Sequence, residues 1–395
     1  MGYTEEQKDI MRCPITGRSV IRIRAYAGTG KTFILEKLAH RIQNEMPNTK
    51  VLYLAYNKAI CEEAKSVFPL NVTCKTTHGL AYGAVGFKFM NAGKLYNLSK
   101  MHLKRIVDDW YNHVKFCAPR ETLPKYMQSW LEKVDVPECT YVSWNDANCA
   151  LETLNNYLSS ADPSIQDDHI SAKRVLKMVL PRKVMLALVN SIWKRMQDLN
   201  DSKAPMVHDG YLKLYDLEGL DLGDRYKVIM FDEAQDAAAP QANIVKRAKA
   251  CKIIVGDPHQ AIYAFRGAVD ALEGFNATND FTLSTSFRFG PAVAKLATRV
   301  LATWKKEETP VKCLAEAQDA LTTAEYVSQH YNYTYLCRTN SEMFRKAAVC
   351  LRDGKSFHFL GGFPPTLRNN LMDVHHLQCG NMSAIKSPMF KRDSF

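Results

Sequence analysis

The segment Ala25-Tyr26-Ala27-Gly28-Thr29-Gly30-Lys31-Thr32 constrains this chain more than any other. It follows an alternating run, Val20-Ile21-Arg22-Ile23-Arg24, that reads as a strand. It precedes Phe33-Ile34-Leu35, Leu38, Ala39 and Ile42, which fall at helical spacing. Strand, glycine loop and helix in that order make a phosphate cradle. Gly28, Thr29 and Gly30 let backbone N–H groups close around phosphate oxygens, Lys31 neutralises the β/γ-phosphates, and the Thr32 hydroxyl is placed for Mg²⁺. The helix presents its N-terminus to the anion. The full pattern asks for glycine at its first position, where this chain has Ala25.

A second cluster supplies the acids. Asp232 closes the apolar run Val228-Ile229-Met230-Phe231, as a metal-binding carboxylate at a strand end should, and Glu233 beside it can take a proton from an attacking water. Alone this could be a solvated acidic turn. With the phosphate loop it describes a site for a nucleoside triphosphate and Mg²⁺, built for hydrolysis. A third cluster runs from Val255 to Ala268. Its Gln260 is placed to sense a γ-phosphate, and Tyr263, Phe265 and Arg266 suit base stacking and backbone contact. The spacing of Tyr263 and Phe265 suits a hydrophobic core equally.

The order of elements predicts an α/β fold with a parallel, doubly wound sheet. Strands are expected at 20–25, 51–56 and 71–74, with helices between them, then at 228–231, 252–255 and 281–283. Thr4 with Glu6 and Gln7 predicts a capped helix at the start. From about Lys94 to Tyr215 helical patterns replace strands, at 103–114, 126–134, 147–158 and 174–199. A helix at 291–304 and a strand at Thr334–Cys337 open a further α/β unit. The expected organisation is a RecA-like ATPase domain in two parts, 1–92 and 217–285, a helical insertion at 93–216, and a partial second RecA-like domain at 286–395.

Bulk properties add less. Lys and Arg exceed the acids, 52 against 41, a net +11 that fits either a polyanionic partner or a merely basic protein. The 11 cysteines form no Cys-x-x-Cys pair, which suits a reducing compartment better than disulfides or zinc. No apolar run reaches the roughly 18 residues of a transmembrane helix, so no membrane partner is expected. The polar N-terminus is not a signal peptide.

Taken in order, Gln7, the Ala25–Thr32 loop, Asp232-Glu233-Ala234-Gln235-Asp236, Gly256-Asp257-Pro258-His259-Gln260 and Ser286-Phe287-Arg288 resemble the UvrD/Rep-type superfamily 1 DNA helicases. Within these, Tyr56-Asn57-Lys58, Asn71–Tyr82 and His208–Tyr215 are similar to the F-box DNA helicase subfamily. The resemblance spans residues 4–362. It implies ATP and Mg²⁺ as cofactors, single-stranded DNA and DNA junctions as partners, 3′-to-5′ translocation with unwinding, and a nuclear role in recombination and repair. By position it implies that Gln7 reads the adenine edge and Phe287 stacks on the base. Lys31, Thr32, Asp232, Glu233, Gln260 and Arg288 would form the ATPase site. Tyr56, Asn57, Thr76, His78, Tyr263, Phe265 and Arg266 would line the strand path, and Arg338 would contact its backbone from the second domain. Gln7 also suits a helix-surface amide, and His78 a buried core histidine.

Two departures shape the expectation. No F-box-like segment precedes Thr4, so a ubiquitin-ligase adaptor contact is not supported. Neither the Thr-x-His-x-x-Lys-Gly type of segment nor a final arginine segment occurs in 340–395. The sequence therefore reads as a C-terminally truncated member with poor order expected from about Phe363. Weak hydrolysis without unwinding follows, and an ATP- and single-strand-binding competitor of the full-length enzyme is the alternative.

Overall fold

A computed structural model describes residues 2–96, 143–178, 180–262, 271–314, 319–321, 332–363 and 365–386, together with Leu98 and Ile106. The chain forms two compact units, 1–320 and 321–395. Apart from Ile106, the residues of the helices expected at 103–114 and 126–134 lie outside the described residues.

The first unit is built on a six-stranded sheet of order β3-β2-β4-β5-β1-β6: β1 Val20–Ala25, β2 Val51–Ala55, β3 Val72–Thr76, β4 Val228–Phe231, β5 Cys251–Gly256 and β6 Asn279–Leu283. Every neighbouring pair is parallel. The six strands expected between residues 20 and 283 therefore form, and their C-terminal ends share one edge. The central strands β2, β4 and β5 are buried along their whole length, which is why their sequences are nearly unbroken apolar runs.

Alternate residues serve the two faces. Ile21, Ile23, Ala25, Val51, Tyr53, Val228, Met230, Ile253 and Val255 pack against α1 (Glu5–Arg12), α2 (Lys31–Glu45) and α3 (Lys58–Val67). Leu52, Leu54, Ile229, Phe231 and Ile254 face the opposite core. The alternation in β1 resolves here: Arg22 and Arg24 project to that second side and pair with Glu273 and Asp280. Helix α1 starts with the expected cap, in which the Thr4 hydroxyl accepts from Gln7 N–H at 3.2 Å and Gln7 Oε1 accepts from Thr4 N–H at 3.2 Å.

The second face is covered by helices, including those of the insertion. α4 (Thr77–Ala81) and α5 (Phe87–Asn91) flank a π-helical turn at Tyr82–Gly86. Then come α6 (Trp144–Ser159), α7 (Arg182–Gln197), α8 (His208–Leu217) and α9 (Ala239–Arg247). The single helix expected at 174–199 is split. A short turn at Ala172–Val175 precedes α7, because Pro181 lacks an N–H and disfavours helix in the residue before it. Tyr157, Leu188 and Trp193 from the insertion sit in the same core as Leu54 and Phe231 from the sheet. Two buried lysines secure this layer. Lys94 donates to the carbonyls of Arg195 and Asp198 at the end of α7, and Lys213 donates to Ser160 O at 2.7 Å at the end of α6. Both act as C-terminal caps, where cations are favoured.

Beyond β6, Thr285–Ser286 (β7) pairs in parallel with Lys312–Cys313 (β8), and α10 (Pro291–Val300) continues into a π-helical turn at Leu301–Lys305. Ala294 and Val311 pack on Tyr26 of the glycine loop.

The second unit, taken by itself, holds α11 (Asn340–Arg352), capped by Thr339, and α12 (Pro365–Gln378). The strand expected at Thr334–Cys337 does not form. A strand is stable only when its amides are paired, and no neighbouring strand flanks these residues among those described. The segment after Phe363, expected to be poorly ordered, carries α12, and buried Asp373 of that helix accepts from Lys386 N–H at 3.0 Å.

Because the insertion shares its core with the sheet, it should not unfold separately. Leu188→Ala is expected to cost about 2–5 kcal/mol and to lower a single denaturation transition. Two resolved transitions in the fluorescence of the five tryptophans, which all precede residue 321, would show that the helical layer stands alone.

Candidate functional site

The glycine loop turns off the end of β1 and enters α2 through two left-handed residues, Gly28 at φ 75° and Gly30 at φ 86°. At Gly28 this freedom is compulsory for a second reason. A Cβ there would lie 2.6 Å from Arg288 Cβ and 2.7 Å from Ser286 Oγ. The loop is held from below, with Thr29 Oγ1 donating to Tyr26 O at 2.8 Å and Phe287 N–H donating to Gly28 O at 2.8 Å. The first helical amide with an intrahelical partner is Ile34, which donates to Gly30 O at 2.9 Å. The amides before it point out of the helix end, as an anion cradle needs.

Gln7 is buried beside the loop, and its Nε2 donates to Thr29 O at 3.3 Å. The helix-surface reading of Gln7 is therefore not what the structure shows. Phe287 lies over Gly30 on the same side, and the Arg288 side chain is exposed above the loop. Thr32 is exposed in the first turn of α2. Sequence reasoning passed over Tyr3 and Phe33, whose half-exposed rings lie 5.8 Å apart on this side of the loop.

The acids arrive from β4. Asp232 is buried; its Oδ2 accepts from Tyr53 OH at 2.7 Å and its Oδ1 from Glu233 N–H at 2.9 Å. Burial, with Glu233 beside it, pushes the Asp232 carboxyl up to about 6. Burial likewise raises the Tyr53 phenol, so Tyr53 stays a neutral donor. Glu233 adopts a left-handed backbone, φ 51°, which is costly for a residue with a Cβ. Its Oε2 accepts from Lys31 Nζ at 2.8 Å. Glycine loop and acids therefore meet directly. The residues fit a nucleotide with a divalent cation: a cradle of free amides, a lysine, a hydroxyl, and a buried carboxylate whose raised pKa marks an uncompensated site for positive charge.

Further along the edge, β5 delivers Asp257 and Gln260. Gln260 Nε2 donates to Asp257 Oδ2 at 2.5 Å, and His259 Nε2 lies 3.0 Å from Glu307 Oε2. Tyr56 and Asn57 follow β2, while Thr76 ends β3 and His78 lies in α4, so all four stand at the same sheet edge as the loop. Asn57 Oδ1 accepts from Ile60 N–H and Thr76 Oγ1 from Gly79 N–H, both at 2.9 Å, so each caps a helix. His78 is half-exposed, with Nε2 3.0 Å from Asp209 Oδ1 and its ring edge-on to Tyr211; it is not a buried core histidine. Tyr263, Phe265 and Arg266 lie outside the described residues. Arg338 is exposed in the second unit, just before the cap of α11. Tyr53 had a sequence signal, a hydroxyl inside an apolar parallel strand that must find a buried partner. Gln235, which contacts Glu233, has its place in the Asp232–Asp236 motif as its signal, and nothing local to it gives its role.

Residues 3–280 match the UvrD/REP helicase N-terminal domain. The chain is 32% identical over 353 residues to F-box DNA helicase protein 1 of Schizosaccharomyces pombe, covering 87% of this chain and 38% of that protein. It is 31% identical over 406 residues to F-box DNA helicase 1 of Gallus gallus, covering 99% and 36%. It is 27% identical over 311 residues to the mitochondrial ATP-dependent DNA helicase HMI1 of Saccharomyces cerevisiae, covering 72% and 38%. The chain belongs to the UvrD/REP helicase family. It spans between a third and two fifths of the length of these relatives. Among the described residues, no helix is long and apolar enough to cross a membrane.

The buried carboxylate has a measurable consequence. The folded chain holds the Asp232 proton more tightly than the unfolded chain, so this group's stability contribution is full below an unfolded pKa of about 3.8 and is lost as pH rises through about 6. Asp232→Asn should therefore stabilise the metal-free chain at about pH 8 by about 1–3 kcal/mol, less at about pH 4, with the lost Glu233 N–H bond as the offset. Thermal denaturation in EDTA at both pH values checks this. Equal effects at the two would show that the carboxylate is ionised at little cost.

Proposed function

We propose that this chain binds ATP with Mg²⁺ and hydrolyses it to drive 3′-to-5′ movement on single-stranded DNA, with duplex unwinding, in nuclear recombination and repair. The observation that carries this reading is the meeting of the glycine loop with the two acids of β4, Lys31 to Glu233 at 2.8 Å beside buried Asp232. Family membership supports DNA as the track, and the names of two relatives carry the words DNA helicase with F-box. The third relative's name places that protein in mitochondria and the names of the F-box relatives state no compartment, so the nuclear assignment is part of the proposal alone.

In this reading ATP lies over Gly28–Thr32. Phe287 stacks on the adenine and Gln7, fixed by Thr4 and Thr29, reads its edge. Lys31 leaves Glu233 for the β/γ-phosphates when ATP enters, because a triphosphate offers more negative charge than one carboxylate. That frees Glu233 to accept a proton from the attacking water. Thr32 and Asp232 would hold Mg²⁺, which supplies charge neutralisation at the phosphates. Arg288 and Gln260 contact the γ-phosphate, where a positioned cation favours the charge of the transition state. Tyr56, Asn57, Thr76, His78, Tyr263, Phe265 and Arg266 form the strand path, with Arg338 as a further backbone contact. Binding there is salt-dependent and tolerant of sequence.

Two variants test the chemistry. Lys31→Ala should abolish DNA-stimulated hydrolysis and weaken ATP binding. Glu233→Gln should abolish hydrolysis while Mg·ATP still binds, since Asp232 and Thr32 remain. Unchanged turnover in Lys31→Ala would sink the reading. A strand-displacement assay with the 395-residue chain separates unwinding from binding with hydrolysis alone.

A further inference from the structure

Gln235 follows the two acids and is buried at 2% exposure. Its amide orientation is fixed by its neighbours. The Asp257 backbone N–H, which can only donate, meets Oε1 at 3.0 Å, so Nε2 must face the other way. There Nε2 donates to Glu233 Oε2 at 2.8 Å and reaches Asp236 Oδ2 at 3.3 Å. The end of β5 is shaped around this side chain, since a Cβ on Gly256 would stand 2.5 Å from Gln235 Oε1. The contacts run in one line. Gln260 donates to the Asp257 carboxylate, the Asp257 amide donates to Gln235, and Gln235 donates to Glu233.

We infer that Gln235 is a positioning residue that aims the Glu233 carboxylate and couples it to the Asp257–Gln260 turn. This rests on the proposed hydrolytic role of Glu233. In the structure Lys31 and Gln235 both donate to Oε2, and Oε1 has no partner among the described residues. When phosphate draws Lys31 away, Gln235 remains on Oε2 and holds Oε1 toward the open side, where a water can give up its proton. Any shift of the Gln260 turn on meeting the γ-phosphate passes through the Asp257 amide to the base.

The test compares Gln235→Leu, which removes both bonds, with Gln235→Glu, which keeps an acceptor for the Asp257 amide and replaces the donor to Glu233 by a carboxylate oxygen. In DNA-stimulated ATPase assays both should lower kcat by about 10–100-fold, the range seen when an orienting partner is lost, with KM for ATP unchanged. Gln235→Leu should add little to Glu233→Gln, because the two act as one unit. A merely structural role would lower the melting temperature and leave kcat per folded molecule intact, which overturns the inference. Loss of turnover in Glu233→Gln with full turnover in both Gln235 variants sinks the inference alone. Full turnover in Glu233→Gln sinks the proposed base as well. Amide hydrogen exchange decides the matter independently of turnover. A nonhydrolysable ATP analogue with Mg²⁺ should protect the peptide covering 251–262 in the native chain and not in Gln235→Leu. Protection retained in the variant, or missing from the native chain, overturns the coupling; no protection of 25–32 in the native chain overturns the nucleotide site with it.

Discussion

The Glu233 carboxylate is the junction on which the site depends. One of its oxygens receives both Lys31 from the glycine loop and Gln235 from its own turn, each at 2.8 Å. Lys31 opens α2 after β1, while Glu233 follows β4, and β5 lies between those strands in the sheet. A contact across that gap exists only because all the strands are parallel and end on one edge. Parallel order requires each connection to cross back over a face, which forces helices onto both sides and buries the central strands. The apolar runs of β2, β4 and β5 and the charge pair at the edge are thus consequences of one topology.

That edge is strained and under-neutralised, as a binding surface should be before its ligand arrives. Asp232 is buried with Tyr53 OH and one backbone amide as donors, and its carboxyl titrates at about 6. Glu233 takes a left-handed backbone that glycine would adopt freely. Neither feature helps the fold by itself. In the proposed reading, a cation sharing the space would offset the cost of an ionised Asp232. Backbone strain of this kind, beside a regular sheet, is the local cost that the proposed chemistry of Glu233 would account for.

The strands were legible because burial on both faces leaves a local signature, an unbroken apolar run such as Val51–Ala55 or Val228–Phe231. The glycine loop and the acid pair were legible because their chemistry is compressed into a few adjacent residues. What could not be read were relations set by the packing of distant segments. Nothing local to Tyr53 names Asp232 as its partner, and nothing local to Gln235 names the Asp257 amide. Thr334–Cys337 has the β-rich character of a strand, yet strand formation depends on a neighbour that local sequence cannot supply. The cut in the helix at Pro181 was legible in principle, since proline acts locally, and the surrounding periodicity masked it.

The shared core changes what the helical insertion can be. Leu188 and Trp193 of α7 belong to the same apolar cluster as Leu54 of β2 and Phe231 of β4, one residue before Asp232. Lys213 and Lys94 then lock the ends of α6 and α7 by hydrogen bonds made inside that layer. Close-packed interiors transmit displacement because they resist compression. A movement of the β4 end is therefore resisted, and passed on, by the insertion. His78 lies on this same layer, edge-on to Tyr211 of α8 and paired with Asp209. Of the residues proposed for the strand path, His78 is in this way joined through packing to the strand that carries the acids.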